Sequence, residues 1–243
     1  MCSSLRLDSK DLPRIAYWDD TNERIKYARY NGNDWLIGVV FDMTCSIAPP
    51  RVSLAIDSRN RPHISFNDCG ERKLKYAYND GSGWQVSIID PTINSGISSS
   101  IAIDSQDRPH ISYRSGAQAG GLMYAYFNGS DWVITRVDKN FWAGEKSSLS
   151  LDSQDRPHIA YTFLPGGAEH QVKVVYFNGQ RWIIEIVDDS GAEGDFGDVS
   201  LEVDLGGISH LAYWDAGNDL LKYASRSQYR QNVYLPAIVK NSP

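Results

Sequence analysis

The sequence predicts an all-β chain, a five-bladed β-propeller of four-stranded antiparallel blades. Three observations carry this. One motif recurs five times at near-constant spacing. Each copy is followed by the same short strand-like runs, and no helical periodicity of useful length occurs anywhere.

The motif is Ser100–Tyr113, SIAIDSQDRPHISY, repeated as Ser53–Phe66 and Ser148–Tyr161, with looser copies at Ser4–Tyr17 and Ser200–Tyr213. Its aspartates Asp8, Asp57, Asp104, Asp152 and Asp204 fall at steps of 49, 47, 48 and 52 residues. That is the period of a propeller blade, a unit that cannot bury both its faces alone.

The third unit shows the strands plainly: Ser100–Ile103, His110–Tyr113, Leu122–Phe127 and Trp132–Val137. Each is rich in β-branched or aromatic residues and bounded by turn residues. Asp104–Pro109 makes the first turn, because Asp and Ser bond their own backbone and proline is tolerated where a strand only begins. Asn128-Gly129 supplies the positive φ angles of a tight hairpin, as do Asn31-Gly32, Asp80-Gly81 and Asn178-Gly179. A tryptophan then opens the fourth strand at Trp35, Trp84, Trp132 and Trp182. The fifth unit lacks both signals, and its outer strand is assigned to the tail Asn232–Val239. Pro236 is acceptable there because an outer strand is an edge. Residues 1–243 thus read as one domain, with blades about 1–45, 46–96, 97–145, 146–197 and 198–243, closed by packing of the first blade on the fifth.

Composition bounds the function. The net charge of −6 gives no general attraction to polyanions, so nucleic acid is not an expected partner. No stretch approaches the roughly 20 apolar residues of a membrane span. The N-terminus carries no apolar leader, so the chain is either cytosolic or extracellular with a leader removed. Three cysteines are too few for a disulfide scaffold. Cys45 and Cys69 are expected on one face, where a disulfide is one option and free, partly buried thiols the preferred one; Cys2 could compete.

The turns from strand one to two and from three to four are short and near-identical, as folding alone requires. The other face carries connections that all differ: Asp42–Arg51, Asp90–Ile97, Asp138–Lys146 and Asp188–Asp198. Specificity sits in varied loops on a rigid scaffold, so the site is placed on that face. There the second strands end in Trp18-Asp19, Asn67-Asp68, Arg114-Ser115, Thr162-Phe163 and Trp214-Asp215. An aromatic plane beside carboxylates suits a sugar ring, whose C–H face stacks while its hydroxyls bond to the acids. The candidate ligand-binding residues are Trp18, Asp19, Asp68, Arg114, Trp142, Trp214 and Asp215, with Glu145 and Lys146 nearby. Trp18 and Trp214 are expected to meet where the ring closes.

The ring of His63, His110, His158 and His210, with Arg14 at the fifth place, reads as turn-fixing hydrogen bonds. Blades are on the order of 10 Å apart, too far for ligands that must sit about 2 Å from one metal. The acidic connection Asp188–Asp198, with Asp189, Glu193 and Asp195, has oxygen ligands of the calcium type but not the twelve-residue loop pattern, so no cofactor is expected, with calcium as the minor alternative.

The motif SIAIDSxDRPHISY followed by LKYAYxNGxxW resembles repeats of large bacterial β-propeller proteins, many of them secreted. The likeness spans nearly the entire chain and implies the fold, not an activity. The turn departs from the sialidase Asp-box, since Arg-Pro-His stands where that motif has Gly and Trp. Blade count and repeat length are similar to tachylectin-type sugar-binding propellers. Three readings follow: a non-catalytic, monomeric binder of a glycan or small polar ligand, favoured; a glycoside hydrolase or polysaccharide lyase using Asp19, Asp68 or Asp215; and a protein-interaction scaffold.

Overall fold

The structure is a computed structural model that describes residues 3–45, 50–117, 120–164, 170–191, 196–226 and 233–235, the backbone alone at 190, 191, 226 and 233–235. It contains five four-stranded antiparallel sheets. The first comprises β1 (Ser3–Leu7), β2 (Pro13–Asp19), β3 (Arg24–Tyr30) and β4 (Trp35–Asp42). The second is β5 (Val52–Ile56), β6 (Pro62–Asp68), β7 (Lys73–Asn79) and β8 (Trp84–Asp90). The third is β9 (Ile97–Ile103), β10 (Pro109–Ser115), β11 (Gly121–Phe127) and β12 (Trp132–Asp138). The fourth is β13 (Ala143–Leu151), β14 (Pro157–Phe163), β15 (His170–Phe177) and β16 (Trp182–Gly191). The fifth is β17 (Phe196–Val203), β18 (Ser209–Asp215), β19 (Leu220–Arg226) and β20 (Val233–Leu235), so the tail does supply an outer strand.

The repeated turn is built by its aspartate. Asp57 Oδ1 accepts the backbone N–H groups of Arg59 and Arg61, and Asp8, Asp104 and Asp152 do the same in their own turns. The residue three places on adopts a left-handed conformation at Asp11, Asn60, Asp107 and Asp155, with φ of 57° to 63°. Asp and Asn tolerate that region best among non-glycine residues. The fifth unit meets the same demand with Gly207, φ 78°.

The sheets pack in succession through one repeated seam. A serine on each inner strand accepts the backbone N–H of the next: Leu54 to Ser4, Ile101 to Ser53, Leu149 to Ser100 and Leu201 to Ser148, at 3.0–3.1 Å. Tyr113, Tyr161 and Tyr213 donate their hydroxyls to Asp90, Asp138 and Asp188 of the preceding sheet, each at 2.8 Å. The apolar clusters span the seams, as where Ala16, Trp18 and Ile25 meet Leu54, Ile64 and Phe66. An ion pair from Arg51 to Asp198, 2.7 Å, links the second and fifth sheets, so the inner strands curve round a common centre.

Among the described residues the fifth seam is not made. None of these bonds joins the fifth sheet to the first among the described residues. Leu5 is 52% exposed, whereas its repeat equivalents Leu54, Ile101, Leu149 and Leu201 are at most 5% exposed. At the other end Leu205, Trp214, Leu221 and Tyr223 face outward. The expected closure of the first sheet on the fifth is therefore corrected: among the described residues the wheel is an open arc with two uncovered faces. Counting repeats cannot reveal this, because closure depends on the angle between neighbouring sheets.

Two connections also differ from expectation. Ala143–Lys146 belongs to β13, and Asp188–Gly191 to β16. Both strands carry register shifts, which break the alternation that marks a strand in sequence.

Candidate functional site

The second-strand ends and the sheet-to-sheet connections do lie together. Cys45 and Cys69 form a disulfide with Cα atoms 5.3 Å apart, which corrects the expectation of free thiols. The connection brings Cys45 and Met43 over the second-to-third loop of the next sheet, where the Cys69 sulfur lies 3.3 Å from Met43 Sδ. Cys2 falls outside the described residues.

The candidate carboxylates are engaged within their own sheets. Asp19 meets Lys26 Nζ at 2.5 Å, Asp68 meets Lys75 Nζ at 2.5 Å, and Asp215 meets Lys222 Nζ at 2.6 Å. Lys26 and Asn22 hold Asp19 down at about 2. Burial pushes Asp215 up, but Lys222 and Asn218 outweigh it and leave it lowered. A glycosidase general acid needs the opposite, a raised carboxyl. A lysine diagonal to this aspartate on the next strand is a strand-to-strand support repeated in three sheets. In the fourth, Phe163 stands in the aspartate's place and Lys173 Nζ sits 4.0 Å over its ring.

Trp18 and Trp214 are not brought together. Trp18 is 6% exposed and packs toward the second sheet, its Nε1 donating to Asp20 at 3.0 Å. Trp214 lies on the uncovered face of the fifth sheet, against Gly197.

Arg114 and Trp142 do converge, at the seam between the third and fourth sheets. Arg114 is buried at the end of β10 and forms an ion pair with Glu145. Its guanidinium lies 5.4 Å from the ring centre of Phe141 and 5.6 Å from that of Trp142. The two rings stand edge to face, centroids 5.1 Å apart, and both are exposed. The Trp142 carbonyl accepts the N–H of Leu164, which anchors the aromatic pair to the fourth sheet. Gly144, φ +88°, lets the backbone pass beneath Arg114: a Cβ there would meet Leu122 Cδ1 at 3.0 Å. Lys146 donates only its backbone N–H, to Thr162, at the edge of this group.

The histidines act within the turns. His63, His110 and His210 each bridge the turn aspartate through Nε2, at 3.2–3.3 Å, and a third-strand tyrosine through Nδ1. His158 faces Asp152 at 3.6 Å and Ser209 Oγ at 3.0 Å. Among the described residues no group of three or more His, Cys, Asp or Glu has metal-binding spacing. Asp188 turns to Tyr213 and Lys222, and Asp198 to Arg51; Glu193 and Asp195 lie outside the described residues.

Burial pulls His63, His110 and His158 below the ordinary histidine value of 6.5. Burial also pushes Asp57, Asp104 and Asp152 up, but the turn N–H groups and Arg61, Arg108 and Arg156 outweigh it, leaving all three lowered. Below pH 6.5 the unfolded histidines take up protons that the folded ones refuse, so stability falls as pH falls. The lowered carboxylates add a second loss below their ordinary 3.8. The melting temperature is therefore expected to drop in two steps, from pH 6.5 downward and again below pH 4. A melting temperature unchanged between pH 7 and 5 would contradict the first step.

A feature that sequence reading missed lies on the other face. A cleft of about 520 Å³ opens between the first and second sheets, lined by Arg14, Tyr27, Arg29, Arg59 and Arg61. Its signal in the sequence is a pair of departures from the repeat, Arg14 in a histidine position and Arg29 in a tyrosine position.

Five successive four-stranded antiparallel sheets round a common centre define a β-propeller, with a polar–aromatic group at one sheet-to-sheet seam as its candidate site. No family model matches the chain, and no curated protein matches it. Among solved structures it is similar to the Aleuria aurantia lectin, described as a six-bladed β-propeller with a novel mode of fucose recognition: TM-score 0.66, 12% identity, 100% of this chain and 79% of that one. It is similar to a triple arginine-to-alanine variant of AofleA from Arthrobotrys oligospora, TM-score 0.65, 15% identity, covering 98% and 72%. An ulvan lyase bound to a sulfated uronic acid–rhamnose oligosaccharide also superposes, TM-score 0.58, 15% identity, covering 98% and 69%. At these identities the likeness shows the fold. The coverage of the six-bladed lectin fits five sheets laid on a six-sheet wheel with one place left over.

Proposed function

We propose that this chain is a non-catalytic carbohydrate-binding propeller, and that Arg114, Phe141, Trp142 and Glu145 form its recognition site. The observation that carries this is a buried, carboxylate-paired guanidinium framed by two exposed aromatic rings. A guanidinium offers donors in a fixed fork, and the carboxylate beside it offers acceptors. Together they match a pair of adjacent sugar hydroxyls, each of which both donates and accepts. The Trp142 face supplies an apolar platform for the C–H side of the ring. Because Glu145 already holds Arg114 in place, little side-chain order is lost on binding. The fucose-binding propellers that share the fold support this reading. The Cys45–Cys69 disulfide supports an extracellular setting, since such bonds persist in oxidising compartments.

Calorimetric titration with methyl glycosides, α-methyl-L-fucoside included, tests the proposal. Binding in roughly the millimolar to micromolar range is expected, weakened at least tenfold in Arg114→Ala and Trp142→Ala. Affinity unchanged in both variants would remove the site, and no binding across a broad glycan panel would remove the function.

A further inference from the structure

We infer that the cleft between the first and second sheets is an oxyanion-binding site, for the sulfate, phosphate or carboxylate group of a small ligand. It is distinct from the Arg114 group and lies on the opposite face, so the inference does not rest on the carbohydrate reading. Its origin is the point where the first repeat departs from the others.

In the second, third and fifth sheets a histidine on the second strand takes the hydroxyl of a third-strand tyrosine: His63 with Tyr76, His110 with Tyr124, His210 with Tyr223. A further tyrosine ring, Tyr78, Tyr126 or Tyr176, packs on the histidine of the second, third and fourth sheets at 4.7–5.8 Å. The first sheet keeps the partner tyrosine but loses both of these neighbours. Arg14 stands in the histidine position and directs its Nε and one terminal nitrogen to Asp8. Arg29, directly opposite Arg14 across the strand pair, stands where the covering tyrosine would be.

Two consequences follow. Removing two rings opens the cleft, and it leaves the Tyr27 hydroxyl proton with no acceptor, Arg14 being able only to donate to its oxygen. Tyr27 is only 8% exposed, and its ring is fixed edge-on against Trp84 at 5.4 Å, as Tyr76 is on Trp132 and Tyr124 on Trp182. A buried hydroxyl proton without an acceptor is costly, and a ligand acceptor would satisfy it. Burial raises the Tyr27 pKa, with Arg14 and Arg29 opposing from nearby, so the group stays a neutral donor at physiological pH.

The charge in the cleft points to an anion. Arg29 makes no ion pair among the described residues, and Arg59 has only a 3.9 Å contact with Asp107. Arg14 is held by Asp8, and Arg61 by Asp57 with a looser 3.6 Å contact to Asp107; both line the cleft. Among the described residues Asp80 is the one carboxylate that lines it, and its Oδ1 already accepts from Ser82. The Tyr27 O–H and the guanidinium N–H groups give the cleft a majority of donors, which suits a group that only accepts.

The test is a titration of the full chain with inorganic sulfate, inorganic phosphate, glucuronate and, as a neutral control, glucose, read by calorimetry and by NMR shifts of the arginine Nε–H signals. Saturable binding of at least one anion and none of glucose at this cleft is expected. Arg29→Gln should weaken it at least tenfold and Tyr27→Phe at least threefold. The double variant Arg14→His/Arg29→Tyr rebuilds the packing of the neighbouring sheets, so it should fold, keep its melting temperature within a few degrees and lose anion binding. Which anion binds identifies the group recognised. No saturable binding of any anion, or binding indifferent to Arg29→Gln and to the double variant, would overturn the inference.

Discussion

Leu54→Ala is expected to lower the unfolding free energy by about 3 kcal/mol, whereas Leu5→Ala should change it by less than about 0.5 kcal/mol. The two leucines hold the same place in successive repeats, on the same inner strand. Leu54 is 0% exposed, sealed by the first sheet, while Leu5 is 52% exposed because no sheet covers it. Removing Leu54 takes away the transfer energy of the side chain and leaves a cavity that close-packed neighbours fill only in part. Removing Leu5 strips surface that water already reaches. Urea unfolding of the two variants measures both numbers. Equal, large losses would show that the fifth sheet closes on the first in solution, and the open arc would be wrong.

Loss of the Cys45–Cys69 bond is expected to cost a similar amount, about 3 kcal/mol, from the entropy of the loop it closes. The bond spans 24 residues and ties the entry of the second sheet to that sheet's own second-to-third loop. For a chain of this size the loss corresponds to a fall of roughly 6–12 °C in melting temperature. The Cys45→Ser/Cys69→Ser variant and the reduced wild-type chain should melt together, below the oxidised protein. An oxidised protein that melts with its reduced form would show that the cross-link does not form. The effect should not reach the Arg114 group, which sits at a different seam.

Much of the candidate site was legible residue by residue but not as an assembly. Arg114 and Trp142 stand out in sequence because they break the repeat at varied positions, and the structure does join them. Trp18 and Trp214 stand out equally, yet one is buried in the first seam and the other lies on an uncovered face. Asp19, Asp68 and Asp215 look like spare carboxylates in sequence. Strand pairing sets each of them beside a lysine seven residues on, on the neighbouring strand. Arg14 was visible as an odd member of the histidine series, but its meaning rests on Arg29 and Tyr27, which only strand pairing brings opposite it.

The amino-acid order by itself determined the strands, the turns and the number of repeats. Those depend on local chemistry: alternation along a strand, the Asp-bonded turn, and Asn-Gly at the hairpins. Tertiary structure alone decided whether the ring closes, which cysteines bond, and which polar residues share a seam. These are set by the angle at which one sheet leans on the next, a property of packed side chains summed over every seam, with no signature in any single repeat.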